Sequence, residues 1–410
     1  MNEVLRIVSD NLQPSNTHSA DDLINNLEDH VDATLQLGGS VAKQTHGGSD
    51  YDVDIFIKYP MRRRGDKLSD DLEAALRQAG IDAERVQASR DYFIHHGDHD
   101  YELVPVLNIE DPDQAETVID VSPLHVKYFN DRAGTDEKQS VRLLKQFLKA
   151  NHIYGAESHI NGFSGHVVDL LILAYGSFQD VLQAVTDWQP KTIIDLEEHH
   201  TTPMLTLNES KTHGPLIVVD PIQPARNAAA AVNQASYDTF KTAANEFLAS
   251  PEKQVFHEPS LDERYQVANN EHHIATQLNV SFNNDRHDVT GSRLQKIKEH
   301  LVRRLQDVNF HIDNAFIHHE EESAIILTTP SKPKADHLVV QGPPVDQDNH
   351  VERFKQAHSD VEEEHGRLIA HEPNPYQTVH EALNDIISDN YVQKRCQDIK
   401  LVRTTAKPSN

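Results

Sequence analysis

Asp52 and Asp54 stand at alternate positions in SDYDVDIFIKYP, and eleven residues separate Asp52 from Ser40 in the glycine-led stretch LGGSVAKQ. A strand sends successive side chains to opposite faces, so Asp50, Asp52 and Asp54 share one surface while Val53, Ile55 and Ile57 share the other. Carboxylates one strand repeat apart can share hard divalent cations such as magnesium, which take oxygen ligands and bind together with substrate phosphates. A third carboxylate completes a two-ion site, in which metals about 3.5–4 Å apart clamp the attacking and leaving oxygens of an in-line displacement. DYELVPVLNI offers Asp100 and Glu102 on one strand face, opposite Tyr101 and Leu103. Glu102, directly before the apolar LVPV, is the chosen third ligand, with Asp100 in reserve.

The glycines supply the complementary half. Lacking a Cβ, Gly38 and Gly39 let the backbone turn tightly and approach a phosphate closely. If Ser40 opens a short helix, its hydroxyl and the free backbone N–H groups can grip a polyphosphate. Taken singly, each feature has a bland explanation: glycine pairs make turns, and acidic strand residues make solvated faces. The composite of Gly-Gly-Ser, a spacer and Asp-Val-Asp between apolar residues is far more specific. The 27 histidines invite a metal reading too. The pairs His95–His96, His199–His200 and His318–His319 lack the helical i, i+4 spacing of a zinc motif, and Gly97 and Asp98 disfavour a helix between His95 and His99. All are read as titrating surface.

The elements that must hold these groups follow from periodicity. Helices are expected from Asn2 to Leu12 and Ala20 to Val31, then a strand around Leu35, a glycine turn, and a strand from Tyr51 to Tyr59. Ser69 to Gly80 carries Leu72, Ala75, Leu76 and Ala79 on one face, an acidic first turn and a closing glycine, which is an amphipathic helix. Strand-like AERVQAS, DYFIHH and DYELVPVLNI follow. From Asp136 to Phe178 the pattern is helical: KQSVRLLKQFLKAN has a stripe of Val141, Leu144 and Leu148, and GFSGHVVDLLILAYGSF is apolar on most sides, hence buried. PLIVVDP reads as a short buried strand, and RNAAAAVNQASYDTFKTAANEFLASP as one alanine-rich helix stopped by Pro251. The polar segment from Glu252 to about Asn284 looks like a boundary, followed by a helix in SRLQKIKEHLVRRLQDV and strands in AIILTT and HLVVQGPP. The expected fold class is α+β and multidomain: a catalytic domain over residues 1–134, a central helical domain over 135–255, and a smaller mixed domain over 256–410.

Composition bounds the setting. At 410 residues there is room for two or three cores. Cys396 is the single cysteine, so intrachain disulfides and cysteine-based metal clusters are excluded, which suits a reducing interior. The opening residues contain acids and no apolar block, and no window of about 18 apolar residues occurs, so a soluble cytoplasmic protein with no membrane partner is expected. Sixty-five acidic against 38 basic side chains give a net charge of −27, which by itself argues against nucleic-acid binding.

The motifs nevertheless point to one. The spacing of Ser40 and Asp52 resembles that of DNA polymerase β-type nucleotidyltransferases. More specifically, GGSVAKQT, SDYDVDIFI, YELVPV, VSPLHV, VRLLKQFLKANHIYGAE, GFSGHVVDLLILAYGSF, LIVVDPIQPARNAAAAV, SYDTFKTAANEFLASP and VVQGPPV, in this order from about residue 35 to 345, resemble the archaeal-type (class I) CCA-adding enzymes. The resemblance implies a polymerase β-like palm and template-free addition of C, C and A to the tRNA 3′ end from CTP and ATP. It implies two Mg2+ ions on Asp52, Asp54 and Glu102. It also places Gly39, Ser40, Lys43, His125, Lys145 and Tyr154 around the nucleotide, and Arg226 at its base. Lys43 stands where the family usually has arginine, Glu102 where aspartate is usual, and Asp52 where some members have glutamate; no charge is lost, so activity is expected to survive. Two other readings stay open: a poly(A)- or oligoadenylate-forming relative, and a silent tRNA-binding protein on the same scaffold. A homodimer is compatible with any of them. The acidic surface is reconciled with a polyanionic partner by a saline interior, because at about 1 M salt the Debye length falls to roughly 3 Å. Local basic stretches Met61–Lys67, Ile297–Arg304 and the tail from Ile399 then remain as tRNA contacts.

Overall fold

A computed structural model of the chain describes residues 1–14, 18–48, 51–268, 274–283, 286–319, 323–330 and 332–404. It divides into two compact units, Met1–Glu258 and Pro259–Asn410. The boundary expected after residue 255 falls three residues from this division. The one expected after residue 134 lies inside the first unit, which has two large hydrophobic cores.

Helices α1 (Asn2–Asn11) and α2 (His18–Glu28) lead into β1 (Thr34–Leu37), a single helical turn α3 (Gly39–Ala42) and β2 (Val53–Tyr59). Then come α4 (Leu68–Ala79), β3 (Glu84–Val86), β4 (Tyr92–His96) and β5 (Asp100–Leu107). The sheet runs β1-β2-β5-β4-β3, antiparallel except for β2 and β5. A parallel pair needs a long crossover, and the segment through α4 provides it. α4 buries Leu72, Ala75 and Leu76 in the same core as Val53, Ile55 and Ile57, and it stops at Gly80, whose φ of +70° is the left-handed cap that glycine adopts without strain. Val53, Ile55, Ile57 and Leu103 are fully buried, so the pleat leaves Asp54 and Glu102 on the other face.

The second core of this unit is helical: α5 (Ser122–Asn130), α6 (Thr135–Ala150), α7 (Gly165–Tyr175) and α8 (Phe178–Asp187), then β6 (Thr192–Ile194), α9 (Pro203–Thr206), β7 (Leu216–Val218) and α10 (Gln234–Ala249). Phe147 of α6 is fully buried with Phe178, Phe247 and Phe256 at ring-centroid distances of 5.7, 5.9 and 5.8 Å, edge to face. Ser164, Ser177 and Asn233 accept hydrogen bonds from Val167, Asp180 and Ser236 backbone N–H groups and so start α7, α8 and α10. The alanine-rich helix does not begin at Arg226 as expected. The Asn227 side-chain oxygen accepts from the Val218 and Ala229 N–H groups, and its amide donates to the Lys211 and Leu216 carbonyls. These bonds compete with helical ones and keep residues 226–233 irregular.

In the second unit, the segment expected as a boundary contains α11 (Leu261–Ala268) and β8 (Ile274–Ser281). With β9 (Asn314–His319), β10 (Ser323–Thr329) and β14 (Asp398–Thr404), β8 forms an antiparallel sheet ordered β14-β8-β10-β9. Its polar residues misled the reading, because Thr276 and Gln277 are buried beside Ala275 and Leu278. α12 (His287–Asp307) lays Leu294, Ile297, Leu301 and Leu305, all fully buried, at helical spacing against this sheet. A second sheet, β11-β13-β12, joins β11 (His337–Pro344), β12 (Val361–Glu364) and β13 (Arg367–Pro373), and the unit also holds α13 (Asp348–Ala357), α14 (Val379–Ile386) and the short α15 (Asn390–Gln393).

The basic stretches are less available than their sequence implies. Arg62 donates to both Asp32 carboxylate oxygens at 2.8 and 2.7 Å, Arg63 pairs with Asp66 and Asp71, and Arg304 pairs with Asp389. Arg403 of β14 donates to Asp262 at 2.7 Å. Residues 405–410 lie outside the described residues.

Candidate active site

The parallel register of β2 and β5 sets Asp54 directly opposite Glu102. Burial raises the Asp54 carboxyl to about 6, with Lys43 opposing the rise and Asp52 adding to it. Burial likewise raises Glu102 to about 7, helped by the charges of Asp54, Asp52 and Asp100. Two carboxyls that repel each other in a half-buried setting form a site that gains from a cation between them. Asp52 sits one residue before the strand, not within it, and is exposed; its charge still reaches both partners. Asp50 lies outside the described residues. The reserve candidate Asp100, the first residue of β5, is exposed and has its carboxylate 2.7 Å from His96 Nδ1 of β4.

The glycine turn packs against this pair. Gly39 has φ of +50°, and a Cβ there would overlap the Asp54 carboxylate. At Gly38 a Cβ would come within 2.6 Å of the Phe56 ring. Both glycines are thus required by close approach, and α3 starts at Gly39, which puts Ser40 in its first turn. The Ser40 carbonyl accepts from the Thr45 N–H at 2.9 Å, which folds the chain back behind the turn. Helix α6 then fastens this loop: Arg142 donates to the Gln44 carbonyl at 2.6 Å, and Lys145 donates to the Thr45 carbonyl and hydroxyl at 3.2 Å each.

A cleft of about 410 Å³ opens between these elements. Gly39, Lys43, Asp54, Glu102, His125 and Arg226 line it, so six of the ten residues singled out in the sequence meet there. Asp52, Ser40, Lys145 and Tyr154 stand outside its wall. Lys145 and Tyr154 meet beside Gly165 at the start of α7, where an added Cβ would lie 3.1 Å from the Tyr154 hydroxyl and 3.7 Å from Lys145 Cε. Burial lowers Lys145 to about 8, with Asp169 opposing, and burial raises Tyr154.

Three contributors escaped the sequence reading. Asp169 of α7 is buried and forms an ion pair with Lys43, while its Oδ1 has no hydrogen-bond partner among the described residues. Asp220, fully buried after β7, accepts from Arg226 Nη1 at 3.2 Å and from the Ile222 and Gln223 N–H groups at 2.9 and 3.1 Å. His125 Nε2 and His166 Nε2 lie 2.9 and 3.3 Å from its two oxygens. Burial opposes ionisation of Asp220, yet these histidine hydrogen bonds hold it well below the usual carboxylate range. The available signal was an acid inside or ending an apolar run, VVDLLIL and LIVVDP. The pair His199–His200, read as surface, braces the same loop by contacts to the Pro221 and Pro224 carbonyls at 3.0 and 2.7 Å.

The fold itself recurs in solved structures of nucleotidyltransferases. One described as a cytoplasmic RNA terminal U-transferase matches 64% of this chain and all of its own length, at a TM-score of 0.51 and 13% identity. The Cid1 poly(U) polymerase with magnesium and 3′-dATP matches 63% of this chain and 98% of its own, at 0.50 and 14%. Residues 139–257 match the family described as tRNA nucleotidyltransferase, second domain, and residues 275–396 the CCA-adding enzyme, C-terminal domain. Among curated relatives, the CCA-adding enzyme of Methanothermobacter thermautotrophicus is 30% identical over 88% of this chain and 80% of its own. That of Pyrobaculum neutrophilum is 31% identical over 79% and 75%, and that of Halobacterium salinarum 29% over 83% and 75%. The class is therefore a nucleotidyltransferase, and the chain belongs to the CCA-adding enzyme family. Among the described residues no single helix is long and apolar enough to cross a membrane.

Proposed function

We propose that this chain adds C, C and A to the 3′ end of tRNA from CTP and ATP, without a nucleic-acid template. The observation that carries the reading is Asp54 facing Glu102 across a parallel strand pair, with the Gly39 turn and Lys43 on the same cleft. The donor set is all carboxylate oxygen, raised in pKa by burial and mutual repulsion, which fits hard divalent ions such as a pair of Mg2+. Asp54, Glu102 and Asp52 would hold them; when bound, such ions activate the attacking hydroxyl and stabilise the leaving pyrophosphate.

The residues of the chain do the rest. The tRNA 3′ hydroxyl attacks the α-phosphorus, an O–P bond forms as the bond to the β-phosphate oxygen breaks, and pyrophosphate departs. Gly39 lets the backbone approach the phosphates, and Lys43, on the wall of the same cleft, adds a cation to them. Lys145, with a pKa of about 8, is mostly charged at neutral pH and adds a second cation behind the loop. Arg226, anchored by Asp220 and half-exposed, is placed to contact the incoming base, with His125 beside it.

Incubation with tRNA lacking its CCA terminus, CTP, ATP and magnesium tests the reading. Addition that stops after three nucleotides supports it. Continued polymerisation favours an adenylate-polymerising relative, and tight tRNA binding with no incorporation favours a silent binding protein. Asp54→Ala removes incorporation while the circular dichroism spectrum stays native; an active Asp54→Ala protein would falsify the carboxylate assignment.

A further inference from the structure

Deeper in the same cleft, three side chains that can ligate a metal converge from three elements: His125 of α5, His166 of α7 and Asp220 after β7. Their ligand atoms all lie within 4.8 Å of one another. Each histidine Nε2 is 2.9 or 3.3 Å from an Asp220 oxygen. A tetrahedral zinc ion with bonds of about 2.0–2.1 Å separates its ligands by roughly 3.3 Å, so these distances are already close to a coordination edge. The imidazole rings are 4.3 Å apart and tilted by 45°, and both His125 and His166 line the cleft.

We infer that His125, His166 and Asp220 form a binding site for a zinc-class transition-metal ion, distinct from the Asp54–Glu102 carboxylates. Two imidazoles and one carboxylate are a borderline-soft donor set that selects zinc or cobalt over magnesium, which prefers an all-oxygen shell. Three protein ligands leave a fourth position facing the cleft, the arrangement of an open zinc site. Binding requires each ring to present an unprotonated Nε2, so the proton now directed at Asp220 moves to Nδ1 or leaves to solvent. Arg226, which pairs with Asp220 at 3.2 Å, is half-exposed and has room to swing out as the ion brings its own charge. The Ile222 and Gln223 N–H groups keep the carboxylate aimed as it does so.

A consequence follows that rests on the nucleotide-pocket reading above. An ion here occupies His125 and displaces Arg226, so it slows nucleotide addition without touching the carboxylate pair. The ion would thus act as a brake on the base side of the cleft.

Cobalt(II) is the probe, titrated into the full-length, EDTA-stripped protein in millimolar magnesium. The expected result is one equivalent bound with the visible absorption of a low-coordinate nitrogen–oxygen site. His166→Gln and Asp220→Asn should each lose that band and weaken binding by at least about tenfold, while circular dichroism confirms folding of both. The other 25 histidines give weak, octahedral background that neither substitution changes. An unchanged cobalt band in folded His166→Gln overturns the site. Zinc inhibition of nucleotide addition, expressed relative to each protein's zinc-free rate, should be relieved by His166→Gln; equal inhibition of both proteins overturns the brake. Because the cobalt band needs no catalysis, loss of the site and failure of the proposed activity give different results.

Discussion

Lys43 leaves the turn behind α3 and closes on the buried carboxylate of Asp169 in α7, an ion pair that ties the sheet to the helical core of the first unit. Asp169 also opposes the burial that lowers Lys145 to about 8. One acid therefore supports two cations at the proposed triphosphate position, and it does so from inside a largely apolar helix. Removing one partner of a buried pair leaves an uncompensated charge, which is why this aspartate matters beyond packing.

Asp169→Asn should shift the alkaline limb of activity. Without the carboxylate, Lys145 deprotonates below pH 8, so kcat/KM for nucleotide falls more at pH 8 than at pH 6.5, by about tenfold at the higher pH. The shift should appear mainly in KM. A pH profile parallel to that of the parent protein rules out this role.

The carboxylate pair makes the metal-free fold sensitive to base. Asp54 and Glu102 keep their protons to about 6 and about 7 when folded, above their values of 3.8 and 4.5 when unfolded. Their contribution is fully present below about pH 4 and is lost as pH rises through 6 to 7. Glu102→Gln should then be more stable than the parent at pH 8 in EDTA, by about 2 kcal/mol after allowance for partial exposure. The two should converge near pH 4. Urea melts at both pH values decide this, and a less stable variant at pH 8 contradicts it.

Gly39→Ala should abolish nucleotide addition by at least about 100-fold while changing stability by only about 1–2 kcal/mol, the strain of a left-handed alanine. The added methyl collides with the Asp54 carboxylate, so the effect falls on the site. Single-turnover incorporation with a thermal melt of the same sample separates the two.

The acidic surface predicts tolerance of salt. With 65 acidic and 38 basic side chains, and Arg62, Arg63 and Arg304 paired with acids, the net charge of −27 opposes a polyanion at low ionic strength. Incorporation should persist or rise toward about 1 M potassium chloride, where screening shortens to roughly 3 Å. Peak activity at low salt with loss at molar salt refutes salt adaptation.

Much was legible from order and period alone. The alternation in DVDIFI set which face of β2 is buried, the stripe of Val141, Leu144 and Leu148 set the buried side of α6, and Gly80 marked the end of α4. Local rules suffice there because each residue's environment is set by neighbours two to four positions away. Where a side chain overrides the backbone, the period fails: Asn227 of RNAAAAV makes four side-chain hydrogen bonds, with Lys211, Leu216, Val218 and Ala229, and cancels a helix that composition favours. In β8, buried Thr276 and Gln277 made a central strand look like a linker.

The residues themselves determined that carboxylates and a glycine turn would stand near a strand, because pleat and chirality act over a few positions. Only the tertiary structure decided that Glu102 would face Asp54, that Lys43 would find Asp169 126 positions away, and that two histidines would close on Asp220. Those choices depend on a parallel crossover and on two cores packing around one cleft, and no local interaction along the chain encodes either.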